Sequence, residues 1–163
     1  MYRLIYASES NIRLGESGVG IEIGRILSKS KRNNPKRNIG GVLYYGDGHF
    51  FQVLEGDEAD VRTLYDIISR DDRHTNARII YQEPIDEALF GDWSMHLVPS
   101  KSEIRSLLSQ NGFERFTPFE FSPHLVRDLM LLLSQNGQVR TQQNPNNSLL
   151  SSLKRFISGG SAA

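Results

Sequence analysis

The 163-residue sequence contains no cysteine. Disulfide bonds, thiolate metal sites and cysteine nucleophiles are therefore excluded. Histidine is sparse as well, because His49, His74, His96 and His124 lie at least 22 positions apart. No HxH or HExxH pairing exists, so a mononuclear metal site would have to be assembled entirely by folding. We interpret these histidines as surface or singly hydrogen-bonded side chains.

The sequence also lacks an excess of charge and any long apolar run. Its 19 basic residues balance 19 acidic residues, so electrostatic capture of nucleic acid or of an anionic membrane is not expected. No apolar run approaches the ~18 residues of a membrane-spanning helix, and the start MYRLIYAS has no signal-peptide layout. The motifs GxSxG, GxxxxGK[ST] and GxGxxG do not occur. We predict a soluble cytoplasmic protein that binds neither nucleic acid nor membrane.

The sequence does contain alternating strand and helix patterns. Asp47-Gly48 between two apolar runs predicts a β-hairpin, and Asp57 is placed to cap the helix that follows. A glycine-rich loop is expected at 15–20. The predicted strands are 2–8, 38–45, 49–55, 77–82 and 93–98, and the predicted helices are 21–32 and 57 to about 71. This order predicts an α+β, ferredoxin-like split βαβ sheet with one extra strand (βαββαββ) and two helices on one face.

The C-terminal part has a different pattern. Helices are predicted at 103–110 and 123–135, and we expect this helical extension to cover the other sheet face. Residues 136–147 form a polar linker that we expect to be disordered. An apolar stripe between Leu149 and Ile157 is either a docking helix or a frayed tail. The predicted organisation is a core domain at 2–98, the extension at 99–137 and a flexible or docking tail at 138–163.

Gln52 is the least expected residue of the predicted sheet, because it stands inside the apolar stretch FFQVLEG. Unmet donors and acceptors of a buried amide cost about 1–3 kcal/mol each. Tyr6 shares its strand face with Ser8, and the first and third strands of a split βαβ sheet are neighbours. Tyr6 and Gln52 are therefore candidate cross-strand partners. Their contact either satisfies two buried polar groups or belongs to a site.

More polar residues are expected around a groove between the two helices. We expect these helices to run roughly parallel, which would bring the polar residues at their C-terminal ends together. The polar candidates are Ser30, Asn33, Asn34, Asp71, Arg73 and His74, and the apolar candidates are Ile26, Ile68, Leu43 and Phe50. An apolar slot ending in amides and an arginine suits a flat heteroaromatic ring with a charged tail. Helix-stop chemistry and a solvated loop would explain the same polar residues without a ligand.

The sequence resembles BLUF domains, the blue-light sensors that use flavin adenine dinucleotide (FAD). Similar stretches cover about residues 2–98 in family order, and residues 112–135 resemble the helical extension of short single-domain members of the PixD type. The stretches that carry the resemblance are YRLIYAS, SKSKRNNPKRNIGGVLYYGDGHFFQVLEG, RDDRHTN and FGDWSM. Two features depart from the family pattern: Ile39-Gly40-Gly41 lacks a hydroxyl residue, and the loop expected at 11–20 is longer and glycine-richer than usual.

The resemblance implies roles for particular residues. Tyr6 would donate an electron and a proton, and Gln52 would bridge Tyr6 to the flavin. Asn34 would hold the ring's carbonyl edge, with Arg73 and His74 also contacting the flavin. Further implied residues are Ser8 and Ser30 near the pocket and Trp93 and Met95 in signal relay. A cysteinyl adduct is excluded because cysteine is absent, so the expected switch is a rotated or tautomerised Gln52 amide.

Without a recognisable output domain, the expected signal leaves through an effector protein or through rearrangement of a homo-oligomer. By analogy with the PixD type, that oligomer would be a dimer or a ring assembly. The protein would then be a sensor and not an enzyme. Two alternatives stay open, a flavin-dependent reductase and a non-photoactive protein-interaction module.

Overall fold

The computed structural model of the protein describes residues 1–12, 18–91, 96–97 and 102–143. The strands within these ranges are β1 (Tyr2–Ser10), β2 (Gly40–Gly46), β3 (His49–Gly56), β4 (His74–Pro84) and β5 (His96–Leu97). The α-helices of the same ranges are α1 (Gly18–Asn33), α2 (Glu58–Ser69), α3 (Ser102–Gln110) and α4 (Pro123–Gln143). Short 3-10 turns occur at Asn34–Arg37 and Pro118–Glu120.

The strands form one sheet in the order β4-β1-β3-β2-β5. β1 pairs antiparallel with β3 and β4, and β2 pairs antiparallel with β3. β5 joins the far edge parallel to β2. This is the ferredoxin-like βαββαββ order, so the predicted fold is confirmed.

Two local signals of the sequence take the expected form. Asp47 and Gly48 at the β2–β3 turn have φ angles of 46° and 78°, as a two-residue hairpin of the primed type requires. The Asp57 side chain accepts a hydrogen bond of 2.9 Å from the main-chain N–H of Ala59. That bond satisfies one of the donors left open at the start of α2.

The sheet separates two apolar clusters because strand side chains alternate between its faces. α1 and α2 cover one face, where Leu4, Tyr6 and Phe50 are buried. α3 and α4 cover the other face, where they enclose Ile5, Phe51 and neighbouring side chains. The helical extension therefore supplies the second layer that an otherwise one-sided sheet needs.

The structure corrects three expectations. α1 begins at Gly18, so the loop predicted for 15–20 is wrong over its last three residues. β1 and β3 run antiparallel. α1 runs antiparallel to β1, which precedes it, and α2 runs antiparallel to β3, which precedes it. The two helices therefore run in opposite directions, and the expectation that they run roughly parallel is wrong. α4 continues to Gln143, so the linker predicted from 136 is helical up to that residue. Pro145 provides the next strong helix-breaking signal.

Some predictions fall outside the described residues. Of the strand expected at 93–98, the structure describes His96 and Leu97, which form β5. Trp93, Met95 and the tail from residue 144 lie outside the described residues. Within the described ranges, no helix is both long enough and apolar enough to cross a membrane.

Candidate functional site

A cavity of about 440 Å³ lies between α1 and α2 over the sheet face that carries Tyr6 and Gln52. The α1 side of the cavity is polar and basic, with Lys29, Ser30, Asn33, Asn34, Lys36 and Arg37. The α2 side is apolar, with Leu64, Ile67 and Ile68, and the segment after α2 adds Asp71, Arg73 and His74. Ile26 completes the described lining. The volume is within the usual range for small-molecule sites.

Tyr6 and Gln52 stand directly opposite each other in the β1–β3 register. The Tyr6 hydroxyl donates a hydrogen bond to Gln52 Oε1. Tyr6 is fully buried and Gln52 is 3% exposed. Burial, followed by the nearby Tyr65 and Asp71, raises the pKa of Tyr6 far above its ordinary value. Tyr6 is therefore a neutral phenol that donates to the carbonyl end of the amide.

His74 lines the cavity beside Tyr6. Ser8 Oγ and His74 Nδ1 are 2.8 Å apart, and the imidazole centroid lies 4.7 Å from that of the Phe50 ring. Burial lowers the pKa of His74 to about 4, with Arg73 adding to the decrease and Asp71 opposing it. His74 is thus a neutral imidazole at pH 7.

Asp71 fixes the orientation of Arg73. Its carboxylate accepts hydrogen bonds from Arg73 Nε at 2.7 Å and Nη2 at 2.6 Å, and Oδ1 also accepts one from the Arg73 main-chain N–H at 3.0 Å. The hydrogen bond from Arg73 lowers the pKa of Asp71 to about 2. The planar pairing leaves Nη1 as the guanidinium nitrogen not engaged by Asp71, so Arg73 can still offer donors toward the cavity.

The structure brings most of the predicted site residues to one cavity. Because α1 and α2 are antiparallel, the Asn33–Asn34 pair and the 71–74 segment reach it from opposite directions along the groove. Leu43 and Phe50 are buried in the same apolar cluster but are not in the described lining. The sequence predicts both side chains at the groove, but they lie in the apolar cluster beneath the cavity and do not line it.

Five lining residues were not among the predicted site residues: Lys29, Lys36, Arg37, Leu64 and Ile67. The run SKSKRNNPKR held the signal for the cations, since lysine and arginine beside a helix stop can face a groove as well as solvent. Tyr65, whose ring centroid lies 5.4 Å from that of Tyr6, was not among the predicted site residues either. The helical spacing of α2 could have placed Tyr65 on the face toward the sheet.

The donor set of the cavity fits a flavin. One wall is aliphatic and can pack on a flat ring, while the amides and the imidazole can meet its polar edge. The lysines and Arg37 lie on the α1 side, where they can meet a phosphorylated tail. Among the described residues, no cluster of three or more histidine or carboxylate side chains is placed to hold a metal ion.

Comparisons with known proteins agree on one family. A family model described as BLUF, "Sensors of blue-light using FAD", matches residues 1–96. The chain is 32% identical over 114 residues to the blue light- and temperature-regulated antirepressor BluF of Escherichia coli (strain K12), covering 70% of this chain and 27% of that protein. It is 30% identical to photoactivated adenylate cyclase subunit beta of Euglena gracilis, covering 72% and 17%.

Solved structures give the same result over nearly whole chains. The BlsA photo-activated state superposes with a TM-score of 0.77 at 32% identity, covering 82% of this chain and 94% of that one. The dark state of BlrB, a BLUF protein, superposes with a TM-score of 0.66 at 27% identity, covering 84% and 96%. The chain thus spans about a quarter or less of the two curated relatives but most of these two structures.

Proposed function

Because the chain belongs to the BLUF family, the sensors of blue light that use FAD, we propose that it senses blue light through a flavin bound between α1 and α2. The hydrogen bond from Tyr6 to Gln52 carries this proposal. Both side chains are buried at the cavity, so a group bound there would contact a phenol and an amide already joined by a hydrogen bond.

The amide is suited to switching because its two ends have opposite roles. A carboxamide oxygen accepts hydrogen bonds and its NH2 group donates them. With Oε1 engaged by Tyr6, rotation or tautomerisation of Gln52 would exchange these roles toward both Tyr6 and the cavity. No covalent bond to the protein is required, which agrees with a sequence without cysteine.

A bound flavin supplies absorption of blue light and, once excited, a one-electron oxidant. Tyr6 is the donor, because a phenol can release an electron together with its proton. Gln52 Oε1 is the acceptor placed to receive that proton. Removing the proton as the electron leaves avoids a buried, charged phenol, which the burial of Tyr6 makes costly. Return of the electron and the proton to Tyr6 restores the phenol and can leave the amide in its exchanged orientation.

The free-energy difference between the two orientations of Gln52 is small, so the signal needs a second structural element that responds to it. Each neutral hydrogen bond contributes about 1 kcal/mol, and such a bias acts effectively only on an element with two nearly balanced states. We propose that the segment with Trp93 and Met95, the extension at 99–137 and the tail at 138–163 form the output region. α4 crosses the boundary between the last two. The signal would pass to an effector protein or to other copies of the chain.

We propose FAD as the flavin because the α1 side of the cavity is basic. Lys29, Lys36 and Arg37 line it, and none of the three has a carboxylate partner among the salt bridges of the described residues. A diphosphate carries more negative charge than a single phosphate and would gain more from three cations. That the ligand belongs to the flavins follows from the family alone.

An absorption spectrum in darkness and after blue light tests the proposal. We expect yellow protein whose spectrum shifts reversibly to longer wavelength without bleaching, because only hydrogen bonds to the flavin change. Colourless protein after native purification would favour an interaction module. Bleaching on addition of NADPH, with no reversible shift in light, would favour a reductase. The family is sensory, and we propose that this chain is not an enzyme.

A further inference from the structure

A carboxylate is buried on the sheet face opposite the cavity. Glu55 is 1% exposed, and its two oxygens accept hydrogen bonds from different parts of the chain. Oε1 accepts from Arg3 Nε at 2.7 Å, and Oε2 accepts from the main-chain N–H of Phe90 at 2.8 Å. Both oxygens of Glu55 are thus used as acceptors.

Arg3 extends this contact across three strands. Its Nη1 donates to Glu83 Oε1 at 2.7 Å, and the register places Glu83, Arg3 and Glu55 side by side on β4, β1 and β3. A buried ion pair gains little stability over apolar residues of similar volume. Stability alone therefore does not explain why a carboxylate occupies this position.

The topology suggests a further role for Glu55. β4 and β5 lie at opposite edges of the sheet, so the chain that joins them must pass β1, β3 and β2. We call its described part, residues 85–91, the crossover. Phe90 lies near the end of the crossover and is fully buried in the cluster covered by α3 and α4. The hydrogen bond that Glu55 accepts from Phe90 therefore joins the crossover to β3, the central strand of the sheet.

β3 also carries Gln52. Successive side chains alternate between faces, so Gln52 faces the cavity while Glu55, three residues later, faces the extension. We propose that Glu55 is a positioning residue that couples β3 to the crossover. A change in the hydrogen bonds of Gln52 that displaces β3 is then passed through Glu55 to the segment leading into β5. This coupling rests on the proposed light response, whereas the anchoring of Phe90 in darkness does not.

The Glu55→Gln variant separates the two contacts of the carboxylate. An amide has one oxygen, so one of the donors, Arg3 or Phe90, must face an NH2 group. The charged guanidinium forms the stronger hydrogen bond and keeps the oxygen. The main-chain N–H of Phe90 therefore loses its hydrogen bond to residue 55. Glu83→Gln is the matched control, because it removes the same charge from the same arginine without touching Phe90.

Trp93 provides the measurement, because it is the sole tryptophan of the sequence and follows Phe90 by three residues. In flavin-bound protein in darkness, we expect Glu55→Gln to shift Trp93 emission and to increase its quenching by acrylamide. Glu83→Gln should match the wild type. Equal emission and quenching in the two variants would overturn the anchoring role, since a purely stabilising group leaves the native-state spectrum unchanged below the melting transition.

Light tests the coupling in the same samples. We expect the absorption shift to be retained in Glu55→Gln, because Tyr6 and Gln52 are untouched, and the light-minus-dark change in Trp93 emission to be reduced. A full emission change in that variant, or no emission change in wild-type protein whose absorption shifts, would overturn the coupling. Failure of the wild-type absorption to shift would instead refute the proposed photosensing, and the dark comparison would still decide the anchoring.

A second variant covers the case in which Glu55→Gln does not fold. The double substitution Arg3→Met with Glu55→Met replaces the buried pair by apolar side chains of similar length, a change that is often neutral for stability. It also removes the hydrogen bond between Phe90 and residue 55. The same dark shift in Trp93 emission and increase in quenching are expected, and wild-type values in this folded variant would overturn the proposal.

Discussion

Tyr6 and Gln52 face each other across two neighbouring antiparallel strands, and the phenol donates its hydrogen bond to the amide oxygen. Two properties of the fold produce this pairing. The split βαβ order makes β1 and β3 neighbours, and the register places residue 6 opposite residue 52. A one-residue slip would move Gln52 to the other face of the sheet. The proposed photochemistry therefore depends on the register of a single strand pair.

Tyr6→Phe tests the donor. The ring still packs, so we expect flavin to bind normally and the light-induced absorption shift to be lost. Gln52 Oε1 loses the hydrogen bond from Tyr6, which should lower the free energy of unfolding by about 1 kcal/mol. Absorption spectra in darkness and light, with urea unfolding, measure both effects. Tyr65→Phe is the control, because Tyr65 contacts the Tyr6 ring but does not donate to Gln52, and it should keep the shift. A reversible shift retained in Tyr6→Phe would contradict the mechanism.

The cations on the α1 side should distinguish FAD from shorter flavins. We expect Lys36→Gln or Arg37→Gln to weaken FAD binding about two- to fivefold, as the loss of roughly 0.5–1 kcal/mol from an exposed charge contact implies. Riboflavin, which has no phosphate, should bind equally well to wild type and variants. Titration of flavin-free protein, with the bound flavin identified by chromatography after denaturation, provides the measurement.

Arg32→Gln is the matched control for these variants. Arg32 belongs to the same basic run and is exposed, but it is not in the described lining of the cavity. Its substitution should change FAD affinity much less than that of Lys36 or Arg37. An equal effect of all three substitutions would indicate a general electrostatic attraction, and bound FMN in place of FAD would contradict the diphosphate assignment.

Local signals explain which parts of the fold could be predicted. The Asp47-Gly48 hairpin and the Asp57 cap depend on conformations and hydrogen bonds within a few residues. The face shared by Tyr6 and Ser8 follows from strand alternation. Family resemblance then supplied the ligand and the roles of individual residues, which these patterns left open.

Long-range geometry explains most of what was not predicted. The opposite directions of α1 and α2 follow from the pairing of distant strands, which no local pattern contains. The sequence pattern therefore predicts, wrongly, that the polar C-terminal ends of the two helices lie together. The bond between Glu55 and Phe90 joins residues 35 positions apart, and no local pattern marks it. The helical residues 136–143 have a polar composition that favours disorder, but no proline interrupts them before residue 145.

His74 should make stability depend on pH. Its folded pKa of about 4 lies below the ordinary value of 6.5, so between these values the unfolded chain binds more protons than the folded chain. Stability must therefore fall as pH decreases from 6.5 toward 4, by on the order of 2 kcal/mol. Thermal unfolding at several pH values in this interval measures the slope.

His74→Gln is the control for this slope. Glutamine does not titrate and can still form a hydrogen bond with Ser8. The variant should lose most of the decrease between pH 6.5 and 4. A decrease below pH 4 should remain, because Asp71 has its pKa lowered to about 2 and loses its stabilising charge there. An unchanged slope between pH 6.5 and 4 in His74→Gln would show that other groups cause it.

Asp47 should hold the helical extension to the sheet. Its Oδ2 accepts a hydrogen bond of 2.7 Å from the main-chain N–H of Phe116, and the Phe116 ring packs 4.8 Å from that of Tyr44. Asp47→Gly removes the acceptor while tolerating the φ of 46°. We expect faster amide hydrogen exchange at Phe116. The free energy of unfolding should fall by roughly 1.5–3 kcal/mol, the contribution typical of a hydrogen bond to a charged group.

Asp47→Asn separates the hydrogen bond from the turn conformation. Asparagine adopts the left-handed region readily and keeps an oxygen that can accept from Phe116. It should retain slow exchange at Phe116 and most of the stability that Asp47→Gly loses. Phe116 packs in the same apolar cluster as α3. Release of Phe116 should therefore also alter the exchange of α3 amides. If Asp47→Gly left exchange at Phe116 and in α3 unchanged, aromatic packing of Phe116 against Tyr44 would suffice to dock the extension, and Asp47 would act in the turn alone.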